Sequence, residues 1–178
     1  KRIILLFMQG GPSHVDSFDY KPRLMQSHQK EFDILGYRFN NFRKNTKQVM
    51  MKPLWEFQRH GQCGHGVSSL FPETAKHVDK LCFIHSMHTE GVAHGPSTLF
   101  LHTGSVNTVR PSVGSWVSYG LGTENDIMPS FVTLCPSARM GGPQNYGNAF
   151  LPAVHQGTPI GKAEQSVKDA QILSLIHI

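Results

Sequence analysis

The sequence predicts an α/β protein in which short strands alternate with helices around a layered sheet. The first observation is a continuous apolar run over residues 3–8 that ends at Gly10-Gly11-Pro12, as expected for a strand buried on both faces. The second is the order strand, helix, strand, helix, helix, strand that the residue pattern predicts along the chain. The third is composition: 17 Gly and 11 Pro among 178 residues exceed the roughly 12% of average usage, which favours a loop-rich fold over a helical bundle.

The first predicted strand ends in a turn that suits a binding site. Gly10 and Gly11 can adopt backbone angles closed to other residues, so the chain can turn sharply there. In open α/β sheets, ligands bind at the carboxyl ends of the strands. Residues 13–19 therefore fall where an active site is expected.

The later segments differ in how clearly they predict structure. Residues 21–66 are polar and basic with little periodicity, and we interpret them as an irregular insertion, apart from a possible helix over 53–59. Downstream, the pattern predicts helices over 71–78 (capped by Ser68-Ser69), 96–104 and 112–122, strands over 81–87 and 131–134, and a turn-dense loop over 141–159.

Composition excludes several classes of protein. No apolar stretch approaches the ~18–20 residues that a bilayer-spanning helix needs, so a membrane span is excluded. The net charge of +5 is modest, and the basic residues gather within 21–59 without an interleaved aromatic ladder, so a nucleic-acid partner is not expected. A polyanion binder using that segment would show steep salt dependence. The spacing of Cys63, Cys82 and Cys135 does not match a zinc site. The sequence is compatible with three free thiols or with one disulfide and one free thiol.

Both ends of the sequence predict that the chain is the N-terminal part of a longer domain. It opens at Lys1 without Met and enters the first strand pattern at once, so a signal peptide either lies upstream or never existed. Residues 172–178 form an apolar tail without a turn signal, and we expect this tail to be non-native. Residues 1–178 are therefore interpreted as one incomplete α/β domain.

Two clusters of polar side chains follow the first two predicted strands. The first cluster is His14, Asp16 and Asp19, whose imidazole and carboxylate groups suit a divalent metal such as zinc, manganese or calcium; turn formation by Asp and Ser is the alternative. The second cluster is His85, His88, Glu90 and His94, which lacks the zinc-peptidase spacing. The two clusters would converge if the strands are neighbours, and solvated loop histidines are the alternative.

A serine nucleophile is a third possibility. Ser97, Ser105, Ser112 and Ser115 are available, but the chain has no Gly-x-Ser-x-Gly elbow, which disfavours an esterase of the α/β-hydrolase fold. The Gly10-Gly11 pair also lacks the Gly-Lys-Ser/Thr ending of a nucleotide-binding loop.

The sequence from Phe7 through Gln9-Gly10-Gly11-Pro12-Ser13-His14 to Pro22 resembles the opening of the secreted bacterial proteins grouped as domain of unknown function 1501. The resemblance covers most of residues 3–160, with further matches at 69–72, 86–90, 94, 102–104, 111–122, 150–153 and 156–159. These proteins are described as sulfatase-like and are similar to the alkaline phosphatase superfamily. The resemblance implies a three-layer α/β/α sandwich of the alkaline phosphatase and sulfatase type, incomplete at the C-terminus, and a periplasmic or secreted location.

The same resemblance implies roles for particular residues. An Asp after the first strand binds metal in that superfamily, which favours Asp16, with Asp19 or His14 as alternatives; His88 is the metal-ligand candidate from the second cluster. The sulfatase motif Cys/Ser-x-Pro-Ser-Arg-Ala, followed by Thr-Gly, aligns its Pro-Ser with Pro96-Ser97. Its nucleophile position then falls on His94 and its Arg on Thr98. Because formylglycine forms only from Cys or Ser, His94 would act as metal ligand, general base or nucleophile, with Ser97 beside it.

The function expected from these residues is metal-dependent hydrolysis of sulfate or phosphate esters. Zinc, calcium or manganese would be the cofactor, and the substrate would be a small-molecule or glycan ester. The missing Cys/Ser nucleophile and the missing Arg favour an alternative, a non-catalytic protein of the same fold that binds a glycan or a partner protein. The oligomeric state stays open.

Overall fold

The computed structural model describes residues 2–32, 48–125, 127–166 and 168. These residues form a mixed α/β structure, which confirms the predicted class at that level. Three small two-stranded sheets and a few short helices make up the regular structure of the described residues. The chain divides into two compact units: a first unit, Pro12–Met87, and a second unit that comprises Lys1–Gly11 and His88–Ile178.

The first unit is built around an antiparallel hairpin. Strand β3 (Phe57–His60) pairs with strand β4 (His65–Ser68), so that Phe57 lies opposite Ser68 and His60 opposite His65. Val67 of β4 packs with Ala75 and Val78 as the buried core, and three partly buried rings pack against it: Phe18, Phe71 and Phe83. The other elements of this unit are β1 (Glu31–Phe32), antiparallel to β2 (Gln48–Val49), α1 (Pro22–Gln26), α2 (Pro72–Ala75) and 3₁₀ turns at His14–Asp16 and Val78–Lys80.

The second unit contains the two longest described helices. Helix α3 (His94–Thr103) ends at Gly104, whose φ of 69° is the left-handed conformation that Gly adopts without strain. Helix α4 (Val113–Leu121) begins after Ser112, whose side chain accepts a hydrogen bond from the backbone N–H of Ser115. A parallel pair follows, β5 (Val132–Leu134) with β6 (Thr158–Ile160), and 3₁₀ turns lie at Gly142–Tyr146 and Ala153–His155.

Several predicted elements are confirmed and others are wrong. The helices at 96–104 and 112–122 and the strand at 131–134 are present as α3, α4 and β5. Residues 3–8 do not form a strand: no described segment pairs with them, and their large apolar side chains are 40–87% exposed. Residues 81–87 do not form a strand either. An apolar run predicts burial but does not supply the hydrogen-bonding neighbour that a strand needs.

Other boundaries also differ from the sequence expectation. The predicted helix over 53–59 is wrong, because residues 57–60 form β3. The helix predicted over 71–78 is shorter than expected and comprises only α2. Its N-cap is Phe71 and not the predicted Ser68-Ser69, because the Ser68 hydroxyl accepts a hydrogen bond from the backbone N–H of Leu70. The predicted insertion contains α1, β1, β2 and β3, and the predicted loop over 141–159 contains two 3₁₀ turns and most of β6.

Two sequence predictions fall partly or wholly on residues that the structure does not describe. Residues 33–47 of the predicted insertion and the predicted tail 172–178 lie outside the described residues. The assignment of the whole chain to one incomplete domain stays a prediction. Among the described residues, no helix has the length and apolar character needed to cross a bilayer.

Candidate functional site

Asp16 is held in place at the turn that follows Pro12. Its Oδ2 accepts a hydrogen bond from the hydroxyl of Ser13 at 2.7 Å, and its Oδ1 accepts one from the backbone N–H of Leu54 at 2.8 Å. The Asp16 side chain is buried, whereas Ser13 and Leu54 are exposed, so both bonds are partly shielded from water. Asp16 therefore joins the 3₁₀ turn to a segment 38 residues further along the chain.

Asp19 lies at the centre of a cluster of three nitrogen-bearing side chains. The Lys21 ammonium is 2.9 Å from Oδ2, the Nδ1 atom of His85 is 3.4 Å from Oδ1, and the Nε2 atom of His14 is 3.9 Å from Oδ2. The Asp19 side chain is only 13% exposed, whereas His14 is largely exposed. The hydrogen bond from Lys21 is the main cause that lowers the pKa of Asp19 below its ordinary value of 3.8, so the carboxylate is ionised at neutral pH.

This cluster opens into a cavity of about 450 Å³ within the first unit. The polar part of the wall comes from His14, Asp19, Lys21 and His85, and the apolar part includes Phe18 and Phe83. A volume of this size falls within the ~300–1,000 Å³ typical of small-molecule sites. The cavity therefore combines an ionised carboxylate, an ammonium, two imidazoles and an apolar surface in one concave site.

The backbone next to His85 is strained. Ser86 has a φ of 61°, a left-handed conformation that residues with a Cβ rarely adopt. Such strain often occurs at functional sites.

Three nearly parallel aromatic rings stack at this position: His65, Phe83 and His85. The centroid of the His65 ring lies 3.7 Å from that of Phe83 and 5.5 Å from that of His85. The stacking and the contact with Asp19 together fix the orientation of the His85 ring.

The second unit holds the remaining predicted site residues. His94 opens α3 with an exposed side chain, and Gly11 lies so close that a Cβ added there would be 3.7 Å from Cε1 of the His94 ring. Gly10 and Gly11 have φ values of 95° and 70°, which confirms the predicted sharp turn. Ser97 donates its hydroxyl to the carbonyl of Gly91 at 2.5 Å. His88 lies in an irregular segment and is exposed.

The candidate metal ligands are thus distributed between the units. His14, Asp16 and Asp19 belong to the first unit, and His88 belongs to the second. Imidazole and carboxylate groups are suitable donors for zinc, calcium or manganese. Among residues 2–32, 48–125, 127–166 and 168, however, no group of three or more His, Cys, Asp and Glu side chains is placed to hold a metal ion. The donor chemistry fits, but the described residues do not complete a site.

The sequence does not predict the contact of Lys21 with Asp19, and it predicts that the cluster of His85 meets the cluster of Asp19 only if the two strands are neighbours. Lys21 was assigned to the irregular insertion, although its spacing of two residues from Asp19 in an extended segment would place both side chains on one face. His85 was grouped with His88 and His94 as a loop cluster. No local pattern indicates that it contacts a residue 66 positions earlier in the chain.

The comparisons with known proteins identify a family. The family model described as "Protein of unknown function (DUF1501)" matches residues 1–176. No curated protein and no solved structure matches the chain. The match extends over almost the whole sequence and confirms the resemblance found at residues 7–22 and beyond. The chain belongs to the DUF1501 family of proteins of unknown function.

Proposed function

We propose that this chain provides part of the site of a metal-dependent hydrolase that cleaves sulfate or phosphate esters. The observation that carries the proposal is the Asp19 cluster, in which Lys21, His85 and His14 surround one carboxylate at the mouth of a ligand-sized cavity. The proposal includes a three-layer α/β/α sandwich of the sulfatase type that continues beyond this chain, and a periplasmic or secreted location.

Within the first unit, the chain's own residues would bind and orient the ester. The Lys21 ammonium has donors beyond the one that reaches Asp19, and the imidazoles of His14 and His85 each carry a second ring nitrogen. These groups suit the oxygens of a sulfate or phosphate group, which are strong acceptors. Phe18 and Phe83 would contact the organic part of the substrate and exclude water from it.

Asp16, His14, Asp19 and His88 are the proposed ligands of zinc, calcium or manganese. When bound, such a metal stabilises negative charge that develops on the ester oxygens. Of the two residues expected to be catalytic, His94 is the proposed general base or nucleophile and Ser97 is proposed as a positioning residue. The Ser97 hydroxyl, which donates to Gly91, would position the start of α3 rather than attack the ester.

A second candidate is a non-catalytic member of the family that binds a glycan or a partner protein. The observation that favours it is that the Ser97 hydroxyl already donates a hydrogen bond to the backbone carbonyl of Gly91. The absence of Cys or Ser at the position of His94 points the same way. Under this proposal the cavity binds an ester or a sugar without cleaving it.

Metal content and turnover separate the two candidates. The complete gene product is purified, its metal is measured by elemental analysis, and 4-nitrophenyl sulfate and 4-nitrophenyl phosphate are used as substrates. Asp16→Asn and His94→Ala are compared with the wild type. Glu73→Gln and His77→Ala serve as matched controls, because both residues are exposed and lie outside the site.

The hydrolase proposal predicts stoichiometric metal in the wild type and in both controls. It predicts loss of metal in Asp16→Asn and loss of turnover in both site variants. A wild-type protein that holds no metal and turns over neither ester would contradict this proposal and support the non-catalytic candidate.

A further inference from the structure

Helix α4 has the reverse of the usual distribution of side chains. Ser115 and Ser118 are buried, whereas Trp116 is 46% and Tyr119 is 54% exposed. A helix at the surface of a globular unit normally turns its aromatic residues inward and its serines outward. The exposed face carries Val113, Trp116 and Tyr119 at a spacing of three residues. Such a face indicates a binding surface rather than a contribution to the core.

The exposed rings of this helix form a continuous group with a neighbouring segment. Trp116 lies 5.9 Å from Phe150 and 6.1 Å from Tyr119 between ring centroids, and Tyr119 lies 5.4 Å from His155. Each contact is edge-to-face, with interplanar angles of 71–88°. Phe150 is 71% exposed. We call Trp116, Tyr119, Phe150 and His155 the aromatic surface.

The buried serines hold the aromatic surface in a fixed arrangement. The Ser118 hydroxyl lies 2.9 Å from Nδ1 of His155 and 2.6 Å from the hydroxyl of Ser130. The Ser115 hydroxyl donates to the carbonyl of Gly147 at 3.0 Å. These bonds attach α4 to the segment that carries Phe150 and His155. The rings are therefore ordered before a ligand arrives, which lowers the entropy cost of binding.

The aromatic surface lacks acidic side chains, lysine and arginine. Residues 111–122 and 140–161, the two segments that form it, contain no Asp, Glu, Lys or Arg. They offer neutral hydrogen-bonding groups instead, including the exposed side chains of Gln144 and Gln156 and the phenol of Tyr119. A nucleic acid or an acidic peptide would find no opposite charge here. The surface suits a neutral ligand with both apolar and hydroxyl-bearing faces.

We infer that the aromatic surface binds a neutral glycan. The C–H faces of sugar rings would lie on the exposed faces of Trp116 and Phe150, and sugar hydroxyls would bond to Tyr119, to the free Nε2 atom of His155 and to nearby amides. Nδ1 of His155 is already engaged by Ser118, which leaves Nε2 available. All these residues belong to the second unit, and the inference does not depend on ester hydrolysis.

Tryptophan fluorescence tests the inference directly. The sequence has two tryptophans, Trp55 and Trp116, which are 41% and 46% exposed. In a protein in which Trp55 and every tryptophan outside residues 1–178 are replaced by Phe, emission reports on Trp116 alone. The complete gene product is titrated with cellohexaose, chitohexaose, maltohexaose and xylohexaose, and acrylamide quenching is measured with and without each sugar. We expect at least one sugar to shift the emission to shorter wavelength and to reduce quenching.

Matched substitutions show whether the rings themselves bind the sugar. Trp116→Ala and Phe150→Ala, assayed by calorimetry, should weaken binding about tenfold or more, and Trp116→Phe should weaken it less, because it keeps a ring. Trp116→Leu keeps apolar area without a ring and should behave like Trp116→Ala. Trp55→Ala, which changes an equally exposed tryptophan in the other unit, should bind normally. Circular dichroism confirms that each variant is folded.

Three results would overturn the inference. One is that none of the four sugars binds. Another is that Trp55→Ala weakens binding as much as Trp116→Ala does, or that Trp116→Leu binds as tightly as the wild type. The last is that Trp116 is inaccessible to acrylamide before any sugar is added, because the aromatic surface is then covered by another part of the protein or by a second copy; gel filtration distinguishes these two.

Discussion

The Lys21 ammonium lies 2.9 Å from Oδ2 of Asp19, and this ion pair fixes the charge of the carboxylate at the mouth of the cavity. Lys21 is 43% exposed, whereas Asp19 is 13% exposed, so the pair connects a shielded carboxylate with a cation in contact with solvent. The hydrogen bond between them lowers the pKa of Asp19 below 3.8. The pair therefore keeps Asp19 ionised at neutral pH.

Replacing Lys21 by Met should reduce stability more at neutral pH than in acid. The folded pKa of Asp19 lies below its unfolded value, so its contribution to the free energy of unfolding is complete above the unfolded value of 3.8 and is lost as the pH falls through the folded value. Because Lys21 is partly exposed, we expect a loss of about 0.5–1 kcal/mol at pH 7. Urea unfolding at pH 7 and pH 3 measures it, with Lys80→Met, an exposed lysine of the same unit, as the control. An equal loss at both pH values would contradict the role of the ion pair.

The sequence predicts helices better than strands in this chain. Helix α4 has a serine N-cap at Ser112 and a glycine at Gly122, and both local signals are obeyed. Strand β6 was missed because Pro159 lies inside it, and Pro argues against a strand unless it occupies an edge. The run over residues 3–8 was overpredicted, because apolar character alone does not specify a pairing partner.

The sequence predicts the position of the candidate site in the chain but not the contacts that its residues make. The polar residues after Gly10-Gly11 were identified from position, and Asp19 does border a cavity. Asp16, expected as a metal ligand, is hydrogen-bonded to Ser13 and to Leu54, a residue far away in the sequence. Contacts between distant segments, such as Asp19 with His85, depend on the path of the intervening chain, which local patterns do not determine.

Substituting Asp16 should destabilise the first unit through the N–H of Leu54. In Asp16→Ala the backbone N–H of Leu54 and the hydroxyl of Ser13 lose their acceptor, and loss of a hydrogen bond to a charged group costs about 1.5–3 kcal/mol. Asp16→Asn keeps one side-chain carbonyl oxygen and should lose less. Chemical denaturation measures both, and Glu73→Ala, which removes an exposed carboxylate, should change little. If Asp16→Ala is as stable as the wild type, the hydrogen bonds do not hold the turn.

Alanine substitution at Gly61 and at Gly64 tests how tightly the turn between β3 and β4 is packed. Both have left-handed φ values, 67° and 64°, so alanine is strained at each by about 1–2 kcal/mol. A Cβ at Gly61 would also overlap the side chains of Asp79 and Val78, whereas at Gly64 its nearest neighbour is Arg59 at 3.9 Å. Gly61→Ala should therefore lower the melting temperature more than Gly64→Ala. Equal melting temperatures would show that Asp79 moves aside without cost.

Asp79 should stabilise that turn most strongly when it is ionised. Its carboxylate accepts hydrogen bonds from the backbone N–H groups of Cys63 and Gln62, at 2.9 and 3.0 Å, and these bonds lower the pKa of Asp79 below 3.8. The stabilisation is present above the unfolded value and disappears as the pH falls through the folded one. Asp79→Ala should lower the melting temperature at pH 7 and should change it less at pH 3. A shift of the same size at both pH values would refute this assignment.

Gly114 and Gly120 test the packing beneath the aromatic surface. Alanine in a helix interior normally stabilises relative to glycine by about 1 kcal/mol. At Gly120 a Cβ meets nothing within 4 Å, so Gly120→Ala should raise the melting temperature. At Gly114 a Cβ would overlap the ring of Phe131, so Gly114→Ala should lower it and displace α4. Because α4 carries Trp116, the same variant should also change fluorescence in the protein that keeps Trp116 as its single tryptophan, whereas Gly120→Ala should leave it unchanged. Stabilisation by both substitutions would mean that Phe131 moves away freely and that the helix is not fixed from below.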